Sequence, residues 1–325
     1  MNKQLAVWKL IAKSLESTTG VVLLYVLESS GSSPGRQGFF MVVTASGEMV
    51  GSIGGGIMEH KFVELAKEKL REGKQETTIK KQFHDKLAAT NQSGMICSGE
   101  QTILLYPVTQ KDAAPIQSII HSLEQNKNGS LLLSPGHLSF SPSIPAKYFQ
   151  FSFISDHDWK YIEKTGYKNQ LFIIGGGHCA LAFSKLMRTM DFYITLFEER
   201  EELYTVVQNE FAQEVIIIDD YSALANLISP GLNQYTVIMT FGYRSDSIAL
   251  RALLDKKFTY LGMLGSKTKM KKLLGEFLKD GVSYEILKQV HTPIGLVINS
   301  QTPEEIAISI AAEIIKVKNR LGPLN

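Results

Sequence analysis

Short apolar runs alternate along this chain with stretches of helical period, and glycine clusters stand at several of the joints. Residues 1–18 space their apolar positions as an amphipathic helix. Residues 21–27 follow as a β-branched run suited to a buried strand, and 39–44 and 49–53 are extended segments joined by a turn over 45–48. Gly54, Gly55 and Gly56 lead into a helix whose Ile57, Phe62, Leu65, Ala66 and Leu70 make one stripe, ended by Gly73. Residues 77–83 and 102–108 read as strands, 112–127 as a helix, and the neighbourhoods of Leu131 and 148–154 as strands. The polar stretch 155–169 shows no clear period and reads as a linker.

Beyond it the alternation becomes regular. An apolar run at 171–174 is followed by Gly175, Gly176 and Gly177, a helical pattern from Leu181 to Met190, and a second apolar run that ends in Glu198-Glu199-Arg200. Strand, glycine turn, helix, strand and terminal acid make a mononucleotide-binding βαβ unit. Gly175 permits the tight turn, Gly177 lets backbone approach a pyrophosphate, and Ala180 lets helix and strand pack closely. Glu198 stands 198 − 175 = 23 positions on, near the spacing of a carboxylate that binds a ribose hydroxyl, with Arg200 beside it. Strands at 215–218, 235–240 and 258–264 and a helix at 246–257 continue the pattern. Pro293 to Leu296 reads as a turn pressed on the sheet, and Thr302-Pro303-Glu304-Glu305 as a capping box opening the last helix. The predicted fold class is α/β, with an N-terminal α+β domain over 1–154 and a Rossmann-like, doubly wound parallel-sheet domain over 170–325.

Composition narrows the function classes. A length of 325 residues favours two domains. A net charge of +2 gives no support to a nucleic-acid or anionic-membrane partner, and no apolar run is long enough to span a bilayer. The first residues lack the features of a signal peptide, so a cytoplasmic location is expected. Two cysteines, Cys97 and Cys179, make no disulfide framework. They also fall short of the eight or so thiolates that a pair of [2Fe–2S] clusters requires.

Chemistry gathers at the glycine joints. Gly54 to Gly56, with Ser52 before and Glu59 after, offers amides to an anion such as a pterin phosphate; tight strand packing explains the same glycines. Glu59 suits a hydrogen bond to a heterocycle or the helix dipole, and His60 suits solvent. Arg36 stands alone in the Ser/Gly/Pro loop 29–38. Gly175, Gly177 and His178 form the second joint; Gly265, Ser266 and Lys267, with Lys269 beyond, form a third that suits an anion or plain solvent. Cys97 lies in a Gly/Ser-rich loop where a thiol is reachable, with no Cys or His at zinc spacing, which fits transient sulfur or molybdenum contact better than zinc.

Several segments together resemble the xanthine dehydrogenase accessory protein family, XdhC/CoxI. They are Gly31-Ser32-Ser33-Pro34 with Gly51 to Gly56 and Glu59, Met95-Ile96-Cys97, the Rossmann unit, Tyr260 to Lys267, and Pro293 to Leu296 through Ala307. The likeness spans nearly the whole chain. It implies a non-redox assembly factor that binds molybdenum cofactor, protects it during sulfuration and hands it to a xanthine dehydrogenase-type client. A cysteine desulfurase partner, homo-oligomerisation and cofactor contact by Cys97 go with it. The chain departs from the family pattern at Ser98-Gly99-Glu100 and at Thr240-Phe241-Gly242, where a Thr-His is usual. The competing reading is an NAD(P)-dependent oxidoreductase built on the Rossmann half. The two anion turns are further expected to face each other across one cleft.

Overall fold

β-Branched and aromatic runs form three sheets in a computed structural model that describes residues 3–83 and 99–320. The chain divides into two units between Gly166 and Tyr167. In the first, the elements run α1 (Lys3–Glu16), β1 (Val21–Gly31), β2 (Phe40–Thr44), β3 (Met49–Gly51), α2 (Gly56–Glu72), β4 (Thr78–Phe83), β5 (Gly99–Val108), α3 (Ala113–Glu124), β6 (Gly129–Ser134), β7 (His137–Ser141), β8 (Phe149–Ser155) and β9 (Asp158–Thr165). Strands in the order β3-β2-β1-β5-β4 make an antiparallel sheet, and β7-β6-β9-β8 make a second.

β1 is the centre of this unit because its run is apolar on both faces. Val22, Leu24 and Val26 pack against Met58, Phe62 and Ala66 of α2, while Leu23, Tyr25 and Leu27 share a core with Trp8, Ile11, Ile116, Ile119 and Tyr161. Buried Glu163 on β9 joins the two sheets by accepting the hydroxyl hydrogens of Tyr25 and Tyr161, both at 2.7 Å.

The stretch 155–169, expected as a linker, is largely β9. Trp159, Tyr161 and Glu163 point inward between outward-facing neighbours, so the segment is the half-buried third strand of its sheet. β7, built of His, Ser, Leu and Phe, is likewise a strand where none was expected.

The second unit runs β10 (Asn169–Ile174), α4 (His178–Met187), β11 (Phe192–Glu198), α5 (Tyr204–Val207), β12 (Glu214–Ile217), α6 (Leu224–Leu227), β13 (Gly231–Ile238), α7 (Tyr243–Leu253), β14 (Phe258–Met263), α8 (Lys267–Lys279), α9 (Tyr284–Leu287) and α10 (Pro303–Arg320). Its sheet is parallel throughout in the order β12-β11-β10-β13-β14, a Rossmann-like arrangement. Alternate residues of each strand feed two cores. One lies under α4 and α10 (Ala180, Phe183, Ile310, Ile314), the other under α7 and α8 (Ala249, Leu250, Leu273, Phe277). The order reverses between β10 and β13, which opens a crevice at their carboxyl ends.

Residues 291–296 lie along the free edge of β14. The His291 amide donates to Leu261 O and the Ile294 amide to Met263 O, and Ile294 fills the space that a Cβ on Gly262 would take. The expected turn pressed on the sheet is therefore present. Glu313 of α10 fastens it: it accepts from Tyr260 Oη at 2.5 Å and Gly295 N at 2.8 Å, and pairs with His291 Nδ1 at 3.3 Å.

Candidate functional site

Three glycine-bearing segments of the first unit interlock at one end of the β1 sheet. A Cβ on Gly35 would stand 1.9 Å from Ile53 O, one on Gly54 2.4 Å from Gly35 N, and one on Gly99 2.7 Å from the Ser32 carbonyl carbon. Buried Gln101 donates to Gly35 O at 2.9 Å and to Ile53 O at 3.3 Å, clamping the loops together. Arg36 Nη1 donates to Gly31 O at 2.9 Å and so closes its own loop, with the side chain exposed.

The Gly54 to Gly56 turn runs through three successive left-handed residues, with φ 132, 76 and 69°. Such a turn points its amides inward. It was expected to cradle a phosphate, but the anion in it is the chain's own Glu59. Its Oε2 accepts from Ser52 Oγ at 2.7 Å, Ile53 N at 2.9 Å and Gly55 N at 3.0 Å, while Gly54 N donates to Ser52 Oγ at 3.0 Å. Burial opposes the charge on Glu59, but these hydrogen bonds outweigh it and hold the carboxyl below its ordinary pKa. The other oxygen, Oε1, accepts no hydrogen bond among the described residues. A Cβ on Gly55 would meet nothing within 4 Å, so one face of the turn is open. Cys97 lies outside the described residues.

The Rossmann joint in the second unit is closed in the same way. Gly175, at φ 101°, passes so close to Met239 O that a Cβ would stand 2.5 Å from it. The buried carboxylate of Glu198 turns back under the loop. Oε2 accepts from Gly176 N at 2.7 Å and Arg200 Nη2 at 2.9 Å; Oε1 accepts from Glu199 N at 2.9 Å, Arg200 Nε at 2.9 Å, Arg200 N at 3.2 Å and Tyr221 Oη at 3.3 Å. Burial again opposes ionisation, and the Arg200 pair with the Gly176 and Glu199 amides overcomes it, so the pKa is lowered. A carboxylate offers about four lone-pair positions, and all are in use. Glu198 therefore binds a ribose hydroxyl only if one of these donors gives way. Thr205 Oγ1 adds a bond to Gly176 O, and the Arg200 guanidinium lies 4.4 Å over the exposed ring of Phe241.

What stays open is the start of α4. Gly177 has no heavy atom within 4 Å of an added Cβ, and His178 is exposed. Cys179 is half-buried, and burial with nearby Glu304 pushes its thiol pKa up, away from a reactive thiolate. After β14, Ser266 caps α8 by accepting from Lys269 N at 3.2 Å, and Lys267 is exposed. Lys269 is bonded to buried Asp246, which also takes Thr240 Oγ1 at 2.5 Å, so it is not free for a ligand. Gly265 accommodates Met270, whose Cε would stand 2.5 Å from a Cβ there. The joint at 265–267 is two strands from Gly175 in the sheet order β10-β13-β14.

Among the described residues no group of three or more His, Cys, Asp or Glu side chains could hold a metal. Pattern reading reached the glycines and both glutamates. It missed the clamps Gln101, Tyr221 and Thr205, whose partners are distant in sequence and which carry no motif of their own.

The segments that make these two turns are those that family comparison selects. Residues 14–80 match the model described as the XdhC and CoxI family, and residues 171–314 match the XdhC Rossmann domain. The chain belongs to the XdhC/CoxI family. Among curated proteins it is 25% identical to the uncharacterized protein YqeB of Escherichia coli K12 over 310 residues, which is 95% of this chain and 45% of that protein. It thus spans less than half of that relative's length. It is 22% identical over 338 residues to a Bacillus subtilis protein named as a probable xanthine dehydrogenase subunit, covering 95% of this chain and 96% of that one. A crystal structure titled a xanthine dehydrogenase from Bacillus halodurans superposes with a TM-score of 0.70 at 24% identity, over 97% and 96% of the two chains, and shares the fold.

Proposed function

We propose that this protein is a non-catalytic accessory factor for a xanthine dehydrogenase-type molybdenum hydroxylase, and that it binds the molybdenum cofactor and hands it to that client. Family membership and the names carried by its relatives support the accessory role. The Glu59 carboxylate carries the finer reading. It is ionised and held through Oε2 by Ser52, Ile53 and Gly55, its Oε1 accepts no hydrogen bond among the described residues, and the turn is open at Gly55. A pterin presents ring and amino N–H groups, for which a fixed carboxylate oxygen is a charge-assisted acceptor. Ser52, Gly54 and Gly55 then hold the acceptor in place, in a role distinct from the phosphate cradle read from the sequence. The cofactor, when bound, supplies molybdenum redox chemistry that the client uses. Cys97 and a cysteine desulfurase partner belong to the same reading, as the route by which sulfur reaches a protected cofactor.

A nicotinamide-dependent oxidoreductase has the parallel sheet and open start of α4 in its favour, and the saturated Glu198 against it. Anaerobic incubation with free molybdenum cofactor, gel filtration, and assay of molybdenum and pterin in the protein peak separate the two. Near-stoichiometric retention is expected, reduced about tenfold in a folded Glu59→Ala protein, the loss of one charge-assisted hydrogen bond. No retention by the parent, together with stoichiometric NAD(P)H binding, would replace this reading by the oxidoreductase.

A further inference from the structure

Among the described residues, no strand pairs with the outer edge of the small sheet of the first unit. β8 stands last in the order β7-β6-β9-β8. Lys164 N donates to Tyr148 O at 2.9 Å, and the antiparallel register pairs Gln150 with Ile162 and Ser152 with Lys160. Hydrogen-bonded pairs alternate along such a ladder. The even-numbered residues therefore bond to β9, and the amides and carbonyls of Phe151 and Phe153 point outward. Natural edge strands are protected by charges, prolines or short length. β8 reads FQFSFIS, seven residues without a charge or a proline; one irregularity lies after Phe153. Phe153 is 49% exposed and Ile154 78% exposed.

We infer that this edge is the seam of a two-fold dimer, in which β8 pairs antiparallel with β8 of a second copy of this chain. The strand is complementary to itself. Phe149, Phe151 and Phe153 lie on one face. An antiparallel pairing centred on Ser152 sets each Phe151 opposite Phe153 of the other copy. The ring contacts already running from Tyr161 to Phe151 (6.3 Å) and from Phe151 to Phe153 (6.4 Å) would then continue across the seam.

Charge selects the direction and the occupant. Exposed Lys147 precedes the strand, and exposed Asp156 follows it in the turn to β9. Antiparallel pairing about Ser152 sets Lys147 of each copy against the turn after β8 of the other, where Asp156 stands, twice by symmetry. A parallel pairing would oppose lysine to lysine and aspartate to aspartate. Such an isologous contact closes on itself and uses the outer edge of β8 in both copies.

Sedimentation equilibrium of the full chain from about 1 to about 100 µM tests the proposal over the range expected of a modest interface. A reversible dimer is expected. Ser152 faces its own copy across a pair that is not hydrogen-bonded, with Cα atoms about 4.5 Å apart, within disulfide reach. Ser152→Cys should therefore cross-link with oxidised glutathione, whereas Gln150→Cys and the parent should not. Phe153→Lys should weaken the dimer at least ~10-fold by placing charge on the edge. Lys147→Glu should weaken it too, and adding Asp156→Lys should restore it. A parent that stays monomeric throughout overturns the proposal. So does a dimer indifferent to Phe153→Lys and Lys147→Glu in which Ser152→Cys does not cross-link.

Discussion

Replacing Arg200 by alanine tests how the Rossmann joint is held. Glu198 is wholly buried, and the side chain of Arg200 is 40% exposed. The substitution removes two of six donors; Gly176 N, Glu199 N, the residue-200 amide and Tyr221 Oη remain. Four donors fill about four lone pairs, so the loss is that of the opposite charge and not of hydrogen bonding. Breaking a fully buried ion pair costs about 3–5 kcal/mol. Solvent at the guanidinium and the surviving donors reduce this to about 2 kcal/mol. For a unit of this size that is a fall in Tm of about 4–8 °C, read by calorimetry. Because the folded pKa of Glu198 is lowered, the pair's contribution is fully present above the ordinary value of 4.5 and is lost as pH falls through the folded one. The gap between parent and Arg200→Ala should therefore be wide at pH 7 and narrow under acid. An equal gap at both ends of that range, or none at pH 7, would refute the ion-pair account.

Two further changes probe other fastenings. Gly35→Ala drives a methyl to within 1.9 Å of the Ile53 carbonyl oxygen, backbone that cannot swing aside. A loss of about 3 kcal/mol or more is expected in urea unfolding, and a neutral result would mean that the two loops are not packed as described. Glu313 has its pKa held at about 2, since bonds from His291, Tyr260 and the Gly295 amide outweigh the opposing effect of burial. Its contribution is complete above 4.5 and disappears as pH falls toward 2, so parent stability should drop by about 2 kcal/mol across that window and Glu313→Gln should drop much less. Parallel acid profiles for the two proteins would exclude Glu313 as the source.

The central strands of the β1 sheet and of the parallel sheet are legible because they are runs of Val, Ile, Leu and Phe, and the parallel order follows from helices between strands. β9 escaped because Lys160, Glu163 and Lys164 make Asp158–Thr165 look polar, although Trp159, Tyr161 and Glu163 alternate with the period of a half-buried strand. Glu163 itself shows why: a carboxylate reads as surface until two tyrosine hydroxyls are found to meet it. The site was legible to the same depth. Gly54 and Gly175 announce tight turns with inward amides, yet nothing in a glycine says which anion fills them. Position in the sequence suits Glu59 to a helix dipole or a heterocycle and Glu198 to a ribose hydroxyl. Their real partners, Ser52 and the turn amides in one case and Arg200, Tyr221 and Gly176 in the other, are set by three-dimensional closure.

That shared closure bears on ligand chemistry. In each unit a glycine turn directs backbone donors inward, and in each the chain supplies its own carboxylate to receive them. An incoming phosphate would have to expel an ionised group already bonded at 2.7–3.0 Å to the turn, and would gain only the donors that group gave up. A ligand bringing N–H donors faces no such exchange at Glu59, because Oε1 is already charged and accepts no hydrogen bond among the described residues. The two turns therefore differ in what they can offer. Glu198 is saturated and locks its loop, while Glu59 is half-used and presents an acceptor. Inorganic phosphate at concentrations well above those of the cofactor should accordingly leave cofactor retention unchanged, and competition by phosphate would show that an anion cradle, and not the Glu59 oxygen, does the binding.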